Sequence, residues 1–204
     1  MNKKFISLLV VSLAFVSACA KPASSSAEAS KSQSVSESTS TSQSVSESAS
    51  QSASTEETLT EIKFVKADFP ASNSGYPADQ DVVKAPITLS IHNVMASQTT
   101  GASYAQMKRG DEEVSYMRSS GTFKAKKLVI EQYFQNKGYD GTLTVLAGAD
   151  AASATEITAT DSYDSATLTK TFTYTVEAGA AYFALENRSA QAYKAISIDF
   201  FVVA

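Results

Sequence analysis

The chain has 204 residues, a formal net charge of −4, one cysteine, one histidine and no tryptophan. A mildly acidic chain lacks the net basic face that phosphate contacts require, which excludes nucleic acid as the main partner. A single cysteine excludes an intrachain disulfide, and one cysteine with one histidine is too small a ligand set for a zinc centre.

The chain opens with Lys3 and Lys4, then the apolar run "FISLLVVSLAFV", broken only by Ser7 and Ser12, then Ser17, Ala18 and Cys19. That is the layout of a secretory signal over residues 1–18. The apolar run is too short to span a bilayer as a mature helix. A plain secretory signal needs no cysteine, and an incidental Cys19 is the alternative reading. "VSAC" resembles the lipobox of bacterial lipoproteins: an aliphatic residue, two small residues, then the cysteine. The resemblance implies that Cys19 becomes the N-terminus and carries a diacylglyceryl group on its thiol. Two acyl chains anchor a protein stably where one is marginal. The expected location is then the extracellular face of the cell membrane, with the membrane as a partner through the lipid.

Residues 19–57 follow as a tether. From Pro22 to Thr55 about half the residues are serine, and "SQSVSES" occurs twice, at Ser32–Ser38 and Ser42–Ser48. The tract holds two valines and no aromatic or larger aliphatic residue. It cannot bury enough apolar surface to offset backbone entropy, so disorder is expected. Such a chain has an r.m.s. reach of roughly 35 Å and a stretched length of ~120 Å. That reach suits the thick wall of a Gram-positive envelope. A glycosylated serine stalk is the alternative to a passive tether.

Residues 58–204 have the length of one domain and hold all eight glycines, mostly between apolar runs, as turn punctuation. The runs alternate with period two. "ITLSIHNV" sets Ile87, Leu89 and Ile91 against Thr88, Ser90 and His92. "YAQMK" and "VSYMRS" are shorter strands. "LVIEQYF" turns Leu128, Ile130, Gln132 and Phe134 inward, and "TLTVLA" does so with Leu143, Val145 and Ala147. "ATEITAT" reads as strand or loop. "TFTYTV" sets Phe172, Tyr174 and Val176 against threonines, "YFALEN" buries Phe183 and Leu185, and "AISIDFFVV" buries Ile196, Ile198 and Phe200. "KTFTYTVEAGAAYFALE" reads as a hairpin closed at Glu177–Ala180. Eight or nine short strands predict an all-β fold, an antiparallel sandwich of two sheets.

Four segments in order, "FPASNSGYP", "YAQMKRG", "FKAKKLVIEQYFQNKGYDGTLTVLAGAD" and "AYFALENRSAQAYKAISIDF", resemble the jelly-roll, galactose-binding-like modules of secreted bacterial proteins. The likeness covers most of residues 64–200. It implies a jelly roll, and a glycan-binding or accessory role. The matching positions mark core and turns and carry over no ligand residue.

No catalytic constellation is visible, and no enzyme activity is expected. His92 falls on the polar face of a strand, without a Gly-x-Ser-x-Gly elbow to accompany it. Asp111, Asp140, Asp150, Asp161 and Asp164 fall in expected turns as solvated residues. No cofactor is expected. A structural calcium held by loop carboxylates is the one metal the composition allows, though no DxDxDG loop occurs. Lys108, Arg109, Arg118, Lys124, Lys126 and Lys127 fall within twenty residues. They read as solvated strand faces blunting a sheet edge, with an anion-binding patch as the alternative. Tyr76, Tyr104, Tyr139, Tyr163 and Tyr193 fall in or beside expected loops, and Tyr116, Tyr133, Tyr174 and Tyr182 in strands.

Two functions fit. One is a membrane-anchored, monomeric binding module for a glycan or cell-wall polymer, with Tyr104, Lys108, Arg118, Asn187 and Tyr193 as candidate contacts. The other is a non-catalytic accessory lipoprotein that docks an envelope protein.

Overall fold

The structure, a computed structural model, describes residues 57–204. The expected signal, Cys19 and the serine tract lie outside the described residues. The strands are β1 (Leu59–Val65), β2 (Gln80–Lys84), β3 (Ile87–His92), β4 (Val94–Ala96), β5 (Ala105–Met107), β6 (Ser115–Gly121), β7 (Ala125–Tyr133), β8 (Leu143–Gly148), β9 (Thr155–Glu156), β10 (Thr160–Asp164), β11 (Thr169–Ala180), β12 (Tyr182–Asn187) and β13 (Tyr193–Val203). One sheet runs β10-β11-β7-β13-β5-β4, with β1 also paired to β13, and the other runs β2-β3-β6-β12-β8-β9. Every pairing is antiparallel. The expected all-β sandwich is therefore the observed one, and the chain passes back and forth between the sheets.

Alternation puts one face of the central strands inside. Ile87, Leu89 and Ile91 of β3, Phe183 and Leu185 of β12, Leu128 and Ile130 of β7, and Ile198 and Phe200 of β13 are all buried. Phe200 is the hub. Its ring meets Phe64, Phe123 and Phe183 edge-on, with centroids 6.1, 6.2 and 5.5 Å away. Edge-to-face contact places the positive rim of one ring on the negative face of another and adds to the apolar burial.

Four strands beyond the expected set are present among the described residues: β1, β2, β4 and β10. Their signal was weak for a physical reason. All five residues of β10 are exposed, and Phe64 is the one buried residue of β1. A strand that buries little carries little hydrophobic alternation. Asp161 and Asp164 stand on β10, not in turns, and Tyr163 lies on it too.

The expected hairpin across Glu177–Ala180 is not formed. β11 pairs with β10 and β7, whereas β12 pairs with β6 and β8 in the other sheet. The β11–β7 register shifts between Thr175 and Ala180, and Gly179 sits at φ +72°. The kinked strand end turns the chain from one sheet into the other, and the Ala181 N–H already donates to the Gly148 carbonyl at 3.0 Å. Asn93, at φ 56°, makes the corresponding turn between β3 and β4; asparagine tolerates the left-handed region better than most residues.

The basic run blunts no edge. Arg118 lies on β6, and Lys126 and Lys127 on β7, both interior strands. Nor do these residues form one patch. Arg118 and the lysines belong to different sheets, Arg109 pairs with Asp111 and Glu112, Lys126 pairs with Glu57, and Lys127 sits over the Phe201 ring.

Candidate binding face on the six-stranded sheet

The outward-facing residues of the six-stranded sheet form a band of hydrogen-bonding and aromatic groups. Register sets it out. Asp81 lies opposite Ser90, Ser90 opposite Arg118, Arg118 opposite Ala184, and Ala184 opposite Leu146. In the adjoining row, His92 lies opposite Tyr116, Tyr116 opposite Glu186, and Glu186 opposite Thr144. All these positions follow from the period of two: paired residues share a face, and the register pairs even residues of β3 with even residues of β6, so both even sets point outward.

The rows interlock. His92 stacks on Tyr116 with centroids 5.1 Å apart and planes 19° from parallel. The Arg118 guanidinium lies 3.9 Å from the Tyr116 ring centroid. Arg118 also donates to Glu186 Oε1 at 3.1 Å, while Arg188 donates to Glu186 Oε2 through Nε at 3.0 Å and Nη2 at 2.5 Å. The carboxylate is nearly closed to solvent, and both guanidinium groups remain about half exposed. Burial alone would raise the Glu186 carboxyl. The hydrogen bonds and charges of Arg188 and Arg118 outweigh it and hold the group below the ordinary glutamate range. The buried carboxylate thus fixes two arginine side chains that would otherwise sample many rotamers.

A groove of about 270 Å³ opens beside this cluster, lined by Arg118, Leu146, Ala151, Ala154, Tyr182 and Glu186, with Ala184 among its lining residues. Ala184 stands between Arg118 and Leu146 in the register and is buried; its small side chain leaves the depression between them. The wall from Ala151 to Ala154 depends on Gly148. A Cβ there would lie 2.7 Å from Ala154 Cα, so only glycine lets the loop lie this close. Asp150 and Ser153 lock the loop, each accepting the other's backbone N–H through its side chain, at 2.8 and 3.1 Å.

His92 lies on the polar strand face, as expected. Its Nδ1 meets Asp79 at 2.5 Å, and its Nε2 meets Glu113 at 3.1 Å and Asn93 at 2.9 Å. Among the described residues no group of three or more His, Cys, Asp or Glu side chains is placed to hold a metal ion.

The five candidate contacts do not converge. Arg118 is central to the face just described. Lys108 lines a separate depression with Tyr76, Gln106 and Arg109. Tyr104 stacks on Tyr133 against another groove. Three candidates are corrected. Tyr104 is 8% exposed, so its ring backs the groove instead of standing out from a loop as a contact. Tyr193 opens β13 and is 1% exposed, so its side chain is part of the core; burial pushes its hydroxyl well above the ordinary tyrosine value. Asn187 is fully buried. Its amide donates to the carbonyls of Lys108 at 2.8 Å and Gln191 at 2.9 Å, and its oxygen accepts from the Ser189 N–H and hydroxyl. It has no hydrogen-bonding group left to offer a ligand. Asp140 is buried as well, paired with Lys194 at 3.0 Å.

Sequence reasoning missed Glu186, Tyr116, Tyr182 and Arg188 as members of a common face. The signal was present in β12, where Glu186 is a carboxylate at a position alternating outward between two buried residues. Seeing that Arg118 stands beside it required the pairing of β12 with β6.

No family model matches the sequence, and no curated protein matches it. Among solved structures the chain is similar to a mutant of a family 29 carbohydrate-binding module, at 14% identity and a TM-score of 0.35, over 70% of this chain and 92% of that one.

Proposed function

We propose that this protein is a lipid-anchored surface module that binds a neutral glycan on the outer face of its six-stranded sheet. The observation that carries the reading is the Glu186 carboxylate holding Arg118 and Arg188 in place beside Tyr116 and Tyr182. A sugar offers adjacent hydroxyls and apolar ring C–H faces. The half-exposed guanidinium groups match the first, in charge-assisted hydrogen bonds, and the half-buried Tyr182 ring matches the second, while Glu186 and Tyr116 hold the arginines in position. The face carries both signs of charge: Glu186 pairs with the two arginines, Asp79 and Glu113 meet His92, and Asp81 accepts from Ser90. Mixed charge favours a neutral polyhydroxyl ligand over a polyanion, which the carboxylates would repel. The groove lies near the lower end of ligand-site sizes, about 300 Å³. It takes one ring of a chain that continues over the sheet.

The test is binding of the purified protein to a glycan array, followed by calorimetry on each hit. Arg118→Ala is expected to weaken binding at this face at least tenfold while the protein stays folded with a modestly lowered thermal midpoint, because Arg188 still pairs with Glu186. Equal binding by the variant removes the face from the reading, and an array without hits removes the glycan.

Anchoring is the second half of the reading. It is supported by the basic start, the apolar run and "VSAC" ahead of the serine tract. Cys19→Ser is expected to move the protein from the membrane fraction to the medium, as seen by immunoblot of the two fractions. Retention of the variant in the membrane fraction would refute lipidation at Cys19.

A further inference from the structure

We infer a second saccharide site on the opposite outer face, at the Tyr104–Tyr133 stack, which makes the module bivalent. The inference rests on the glycan reading and adds a site to it. Tyr133 ends β7 on the outward side, since Leu128, Ile130 and Gln132 of that strand are buried. Tyr104 immediately precedes β5. Because β13 lies between β5 and β7, the Tyr104 ring reaches across β13 to stack on Tyr133, with centroids 5.3 Å apart and planes 14° from parallel. Beside the pair runs a groove of about 230 Å³, lined by Thr99, Thr100, Ser103 and Gln135 together with the two tyrosines. These are hydroxyls and an amide around aromatic rings, with no charged side chain in the lining.

The loop that forms the wall is held before any ligand arrives. Ser97 N–H donates to the Tyr104 carbonyl at 3.1 Å, Ala102 N–H to the Thr99 carbonyl at 3.0 Å, and Lys66 Nζ to the Ala102 carbonyl at 2.7 Å. A preformed site avoids the ordering cost of a mobile loop. Lys194 steadies Tyr133: its ammonium lies 5.6 Å from the ring centroid and is itself paired with Asp140. Tyr104 is 8% exposed and forms the floor, while the half-buried Tyr133 and the exposed Thr99, Thr100, Ser103 and Gln135 present the contacts, an uncharged lining that suits a neutral sugar. Tyr133 projects outward from the seven-stranded sheet and Arg118 from the six-stranded one. Packed sheets point these faces away from each other, so one module bridges two glycan chains and gains avidity on a polymer.

The experiment uses the full chain, a soluble oligosaccharide identified on the array, and the polysaccharide that contains it. Calorimetry is expected to give two equivalents per chain for the unaltered protein and one for Arg118→Ala or for Thr100→Arg. Thr100 is exposed, so the arginine fills the groove without entering the core. The unaltered protein is expected to cross-link the polysaccharide, read as light scattering, and either variant to lose that cross-linking. One equivalent per chain, lost entirely in Arg118→Ala and unchanged in Thr100→Arg, overturns the second site and leaves the first. An absence of all binding overturns both.

Discussion

Phe200→Ala is expected to lower the folding stability by about 3–5 kcal/mol, the range for removing a fully buried phenylalanine ring. The expectation comes from its place rather than its size alone. Phe200 is on β13, which holds β7 along one side and β1 and β5 along the other. Its ring touches Phe64 of β1, Phe183 of β12 and Phe123 ahead of β7. Truncation therefore removes three edge-to-face contacts and leaves a void where the two sheets meet. Close-packed neighbours collapse only partly into such a space. In a domain of this size the thermal midpoint is expected to fall by about 10 °C or more. Urea unfolding of the two proteins measures the loss directly. Phe200→Leu, which keeps most of the volume, is expected to lose less.

Asn187→Leu is expected to cost about 2–4 kcal/mol, even though it replaces a polar group by an apolar one of similar size in a buried position. The wild-type amide ties three pieces of chain together: the carbonyl of Lys108 after β5, the carbonyl of Gln191 before β13, and the N–H and hydroxyl of Ser189 between β12 and β13. Leucine leaves these partners without their hydrogen bonds, and an orphaned buried group costs more than a typical bond contributes. The packing around it is tight: a Cβ on Gly110 would sit 1.8 Å from the Asn187 carbonyl oxygen. Neither segment can shift easily to find a new partner. Chemical denaturation gives the loss, and hydrogen exchange at Gly110 and Thr142 is expected to speed up, because their N–H groups donate to Ser189. Wild-type stability in Asn187→Leu would show that this knot of bonds is dispensable.

The two substitutions mark what the sequence made legible. The inward position of Phe200 follows from the alternation in "AISIDFFVV", and the sandwich follows from the same pattern repeated. The destination of each strand does not follow. "KTFTYTVEAGAAYFALE" has the look of a hairpin because alternation and a glycine turn are local features, while sheet membership is decided by β7, β6 and β8 far away in sequence. The site was harder still. Tyr193 and Asn187 border loops and carry the right chemistry, yet both are buried. Residue type gives no measure of depth at a strand end. Arg118 was singled out among basic neighbours, but its meaning comes from Glu186, sixty-eight positions away. Side chains that meet across strands leave no spacing in the sequence by which to pair them.

The most direct test of glycan binding on the Arg118 face is a titration of the isotope-labelled protein with an array-selected oligosaccharide, followed by amide and arginine side-chain NMR signals. The account predicts that the Arg118 and Arg188 Nε–H signals shift, together with the amides of Tyr116, Tyr182, Ala184 and the Ala151–Ala154 loop. It predicts a second, separate set at Thr99–Tyr104 and Tyr133. Shifts confined to other surfaces, such as the exposed edge strand β10, would contradict the account and move the binding site away from the six-stranded sheet.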